Sequence, residues 1–111
     1  MSTRELIEGF RRELRDEDLS PMRGSEVLTK LTALMGNVLA EIREAEAEFN
    51  GVLLKFLDSD EAANRAKIRA QATPEYARAK EAKDTQTVLL AMIQSLKVVL
   101  KVQTEELKAT R

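Results

Sequence analysis

From Leu28 to Phe56 the apolar residues keep a strict order. Leu28, Leu31, Met35, Val38, Ile42, Ala45, Phe49, Val52 and Phe56 are spaced alternately three and four residues apart. That is an unbroken heptad pattern, the mark of a helix with one apolar seam. Val27, Leu34, Leu39 and Leu53 widen the seam. A wide stripe means more than one neighbour, so a bundle is expected rather than a two-stranded zipper. Glu41, Glu44 and Glu48 fall on the opposite side. The pattern predicts one helix over 26–57, with Ser25 as its N-cap. Asn50-Gly51 is a turn signal within it. Because the seam runs straight through the pair, the helix is expected to continue there with a weak point.

The second strong pattern is VLLAMIQSLKVVLKV, residues 88–102, interrupted only by Gln94, Ser95, Lys97 and Lys101. It lies in a predicted helix over 74–108, with Thr73 as N-cap and Pro74 at the first helical position, where a missing N–H costs nothing. Leu89, Ile93, Leu96, Leu100 and Leu107 form one stripe, and Val88, Met92, Val99 and Val102 a second. The two long helices would measure about 48 and 52 Å. Matched lengths predict an antiparallel helical hairpin. Its connector end would bring Phe49, Val52 and Phe56 near Tyr76, Ala79 and Ala82.

One partner helix leaves part of this surface uncovered. The expected solution is a second copy of the chain, a two-fold dimer being favoured. The predicted interface is Val88, Leu89, Met92, Ile93, Leu96, Val99, Leu100 and Val102. Replacing Leu96 and Leu100 with Asp is then expected to abolish assembly. The alternative is a monomeric three-helix bundle, with the N-terminal segment folded over the gap.

That segment, 3–19, carries Leu6, Ile7, Phe10 and Leu14 at helical spacing, with Ser2 and Glu5 as a capping box. Its arginines are offset by Glu5, Glu8 and Glu13, so a membrane-surface helix is disfavoured. It reads as a docking arm for a partner or as packing on the chain's own bundle. The stretch SPMRGS (20–25) predicts a flexible joint. The expected division is therefore 1–24, helix and joint, and 25–111, a single bundle domain. Between the long helices, 58–73 predicts a short helix capped by Asp58 or Ser59, with Ile68 its only large apolar residue.

Composition narrows the picture. Aromatics make up only 4% of the chain, so the core must be aliphatic. There is no cysteine and no histidine, which excludes disulfides, thiolate sites and histidine acid–base chemistry. With a net charge of −1, no global field attracts nucleic acid. The charged N-terminus does not read as a signal peptide. Residues 88–102 fall short of the about 20 apolar residues that span a bilayer. A soluble, cytoplasmic, all-α protein is expected, with no cofactor.

Two charged clusters could carry chemistry. Arg65, Lys67, Arg69, Arg78, Lys80 and Lys83 could meet phosphates, but Asp60, Glu61, Glu75, Glu81 and Asp84 are interleaved with them. A second cluster, Glu41 and Glu44 with Asp58 and Glu61, resembles the metal-binding carboxylates of the all-α nucleotide pyrophosphatases. The resemblance implies magnesium held by converging acids. This chain has D-x-x-E where that family has E-x-x-D, and the acids of the long helix lie opposite its apolar seam.

Asn64, Arg65, Tyr76 and the Leu89–Leu107 run resemble the small helical, coil-containing proteins encoded by bacteriophages and prophages. The resemblance covers less than half the chain and implies a setting more than an activity. The sequence is best read as a non-catalytic oligomeric scaffold or adaptor acting on an unknown protein partner. An accessory nucleic-acid-binding protein for replication or recombination is the alternative, and a metal-dependent pyrophosphatase a distant third.

Overall fold

The computed structural model describes residues 2–16 and 18–109. Four helices account for nearly all of them: α1 (Thr3–Asp16), α2 (Pro21–Leu57), α3 (Ala63–Gln71) and α4 (Pro74–Ala109). No strand occurs among the described residues. The helices fall into two compact units. One comprises α1, α2 as far as Asn37, and α4 from Thr87 onward; the other is Val38–Gln86.

The helix starts follow local chemistry. The Glu5 N–H donates to Ser2 Oγ at 3.1 Å, satisfying one orphan donor of α1. α1 ends at Asp16, short of the expected 19, and residue 17 lies outside the described residues. α2 begins five residues earlier than expected, at Pro21. Its N-cap is Ser20, whose Oγ accepts the Arg23 N–H at 3.2 Å, and Ser25 lies within the helix. A hydroxyl followed by proline presets both the cap and the first helical φ, so the chain commits at Ser20. α4 begins as expected, with the Tyr76 N–H donating to Thr73 Oγ1 at 3.4 Å. Asn50-Gly51 lies in unbroken helix.

The expected joint at 20–25 is therefore mostly helix. Gly24 is buried in α2, and a Cβ on it would lie 2.8 Å from Leu100 Cδ2. This glycine marks a close approach of α2 to α4 rather than a flexible break. The boundary expected at residue 24 does not divide the structure, because α1 and the start of α2 share one unit.

In the first unit the core is Ile7, Val27, Leu31, Leu34, Leu89, Met92, Ile93 and Leu96. Val27 is buried as completely as the seam residue Leu31, and Leu34 is buried too, since this stretch of α2 is shared among three helices. The Gln103 Nε2 donates to the Leu19 carbonyl at 3.0 Å and ties the α1–α2 link to α4.

In the second unit α2 and α4 run antiparallel. Glu46 pairs with Lys83, Glu48 with Arg78, and Phe49 with Tyr76, whose ring centroids are 5.3 Å apart. α3 starts at Ala63 and has no side-chain cap. Ser59, expected to open it, instead donates its hydroxyl to the Phe56 carbonyl at 2.6 Å and closes α2. α3 buries Ala66 and Ala70, one turn apart, and leaves Ile68 exposed. Small residues let this short helix sit close, so its one large apolar side chain is not its anchor.

Candidate interaction surface

Between Thr87 and Ala109 α4 has two different faces. Leu89, Met92, Ile93 and Leu96 point into their own unit and are buried, while Val88 and Leu100 are half-buried. Leu90 (46%), Val98 (62%), Val99 (47%), Val102 (47%) and Leu107 (58%) remain exposed. Ala91 and Ser95 are also exposed and lie on the same side as Val98 and Val102.

The eight residues expected at an intersubunit interface are thus split. Leu89, Met92, Ile93 and Leu96 belong to the core of a single chain, which α1 helps to close. Only Val99 and Val102 of the eight are exposed. Leu90 and Val98 belong to the outer face but to neither apolar stripe drawn from the sequence. Plotting 88–102 at 100° per residue would have shown Val98 opposite Leu89 and Leu96, with Leu90 to one side.

The four apolar residues of α1 face inward: Ile7 is buried, and Leu6, Phe10 and Leu14 are half-buried. Of the two readings of this helix, the structure has it packed on its own chain. Arg23 fastens it there. Its Nε and Nη2 donate to the two Glu13 carboxylate oxygens at 2.6 and 2.9 Å, and Nη1 reaches Glu26 at 3.1 Å. The hydrogen bonds from Arg23 hold the Glu13 carboxyl below the usual carboxylate range against a smaller opposing effect of desolvation. Those to Glu13 and Glu26 raise the Arg23 guanidinium above its ordinary value. Beside α1 lies a mostly apolar groove of about 440 Å³, lined by Leu6, Phe10, Lys30, Ala33, Leu34 and Asn37.

The six basic residues all lie in the second unit, exposed. Lys83 Nζ is 3.0 Å from Glu46, and Arg78 is 3.3 Å from Glu48 and 3.7 Å from Glu75. Arg69 pairs with Glu61 and stacks over the Phe56 ring at 5.6 Å. Half of the cluster is therefore engaged with acids of its own unit. Glu41, Glu44 and Asp58 are exposed. Among the described residues no three His, Cys, Asp or Glu side chains converge as a metal would require.

α4 is also long and apolar enough, by length and composition alone, to cross a membrane. An eighteen-residue window reaches a mean hydropathy of 1.3, with 17% of it buried. The shorter count of 88–102 missed this, because flanking uncharged residues extend the apolar stretch. Compared with protein-family models, curated proteins and solved structures, the chain matches none.

Proposed function

We propose that this chain is a non-catalytic, oligomeric helical scaffold or adaptor that works by protein–protein contact in the cytoplasm. The observation that carries this reading is the outer face of α4. Val98 and Val102, with Val99 on their flank, leave large aliphatic side chains in water on the side of α4 turned from the core. Scattered exposed leucines are ordinary, but a contiguous apolar run marks a surface that is covered in use. The rest of the chain offers little for catalysis to use: it has no histidine or cysteine. Ion pairing of Arg69, Arg78 and Lys83 favours protein contact over phosphate contact as the working mode.

The test is the absolute mass in solution, by light scattering behind a sizing column over a range of concentrations. A stable multiple of 12.5 kDa is expected. A folded single-chain mass at every concentration overturns the oligomeric scaffold.

A further inference from the structure

A second cavity of the first unit has a wall whose free polar atoms are all oxygens. It measures about 330 Å³ and lies between α4 and the end of α1 with the link that follows it. Leu14, Leu19, Leu96 and Val99 give it aliphatic sides, and Asp18, Ser95 and Gln103 supply the polar groups. The helix period places the α4 members together. Ser95, Val99 and Gln103 stand one turn apart, along the edge of the core that Leu96 closes.

The Gln103 amide is held one way round, because Nε2 donates to the Leu19 carbonyl at 3.0 Å. Its Oε1 is closed off from solvent and accepts no hydrogen bond. An acceptor buried without a donor is uncommon in a folded chain and costs free energy. The Asp18 carboxylate and the Ser95 hydroxyl are exposed and enter no ion pair or hydrogen bond among the described residues. No lysine or arginine lines the cavity among the described residues. The arginines nearest to it in sequence are committed elsewhere, Arg15 to Asp16 and Arg23 to Glu13 and Glu26.

These features select one ligand chemistry. Aliphatic sides take a hydrocarbon stem. A carboxylate at the mouth selects positive charge and repels an anion. A neutral hydrocarbon would leave Gln103 Oε1 unsatisfied. An ammonium has three donors and no acceptor, the complement of a wall whose free atoms are oxygens. The volume is at the small end of ligand pockets, so the stem is short and unbranched.

We infer that this cavity binds a primary ammonium on an unbranched aliphatic stem. Asp18 is its counter-ion, Gln103 Oε1 an acceptor, and Leu14, Leu19, Leu96 and Val99 surround the stem. Because Oε1 is closed to solvent, binding turns the Gln103 side chain slightly, which a long unbranched side chain allows. A free alkylamine and a lysine side chain of a partner protein share this chemistry. Binding here needs no second copy of the chain.

The test is an NMR titration of the full-length, isotope-labelled chain with pentylammonium chloride and, separately, with sodium pentanoate at matched ionic strength. Pentylammonium should give saturable shifts at the Gln103 side-chain amide and at the backbone amides of Ser95, Leu96 and Val99. The groove beside α1 is an internal control, so Ala33 and Asn37 should not shift with it. Pentanoate should leave the Gln103 amide unmoved. Asp18→Asn alters an exposed side chain, so it should fold as wild type and weaken pentylammonium binding by at least about tenfold. N-acetyl-lysine methylamide separates the sources: binding as tight as pentylammonium assigns the site to a lysine side chain, and weaker binding to a free amine. Equal shifts with pentanoate, shifts that spread over the acidic surface without saturating, or an Asp18→Asn chain that binds like wild type would each overturn the site.

Discussion

The Arg23 guanidinium grips both carboxylate oxygens of Glu13, across the link between α1 and α2. The pair adds an ionic fastening to the hydrophobic anchor at Ile7, which is 1% exposed. Its pH dependence has a definite sign. The Glu13 carboxyl is held below its ordinary value, chiefly by the Arg23 hydrogen bonds. The stabilisation is therefore complete above about pH 4.3, the value of a free glutamate. It is lost as pH falls through the lower folded value. Both side chains are partly in water, so the effect is modest. Thermal melts should show Glu13→Gln less stable than wild type at pH 7 and the gap narrowing as the pH falls below about 4.3. A gap that stays constant across this range would mean that the ion pair contributes nothing.

Glycines separate the roles of two sites on α2. Nothing lies within 4 Å of a Cβ built on Gly36 or Gly51, and both are in helix. Alanine at either should stabilise the fold by about 0.5–1 kcal/mol through the backbone entropy of the unfolded chain. At Gly24 the added Cβ meets the end of Leu100, a flexible group that can give way, so alanine there should gain less. Valine at Gly24 should destabilise. Urea midpoints compared at constant slope would check the order Gly36→Ala above Gly24→Ala above Gly24→Val.

Much of this architecture was legible in the sequence, for reasons that can be named. The seam from Leu28 to Phe56 has no exposed member, because a period of 3.5 residues admits one buried line on a helix. Thr73-Pro74 fixed the start of α4 through a hydroxyl and a ring. The pairing of Phe49 with Tyr76 followed from matching helix lengths. What was missed has a common cause: small residues report packing only when the neighbour is known. Gly24 read as a break although it is a contact with Leu100, and Ile68, the only large apolar residue of α3, is exposed while Ala66 and Ala70 are buried. Four of the eight residues expected at an interface, Leu89, Met92, Ile93 and Leu96, are buried within their own chain for a related reason. Apolar character says that a residue seeks cover, but only the docking of α1 decides which side of α4 is already covered.

The basic residues give a prediction that separates protein contact from phosphate contact. Arg69, Arg78 and Lys83 already have acidic partners, and the chain as a whole carries −1. Neutralising several phosphates would require breaking these pairs. Labelled single- and double-stranded DNA at low salt should show no change in anisotropy on titration with the protein. Binding that weakens steeply with salt, and that is lost on replacing Arg65, Lys67 and Lys80, would instead make the second unit a nucleic-acid surface.

Leu96 and Val98 are two residues apart on α4 and should behave as different kinds of site. Leu96 is 2% exposed inside its own unit, whereas Val98 is 62% exposed. A carboxylate at Leu96 would be buried without a partner, at a cost of several kcal/mol, a large part of the stability of so small a domain. Leu96→Asp should therefore lose helical circular dichroism and cooperative melting, and any loss of assembly would be a consequence of unfolding. A carboxylate at Val98 remains in water in the single chain, so Val98→Asp should keep its helicity and melt cooperatively. Its mass is the informative readout, because there the charge meets only what covers the outer face. If Leu96→Asp stays folded and Val98→Asp unfolds, the inner and outer faces of α4 have been assigned the wrong way round.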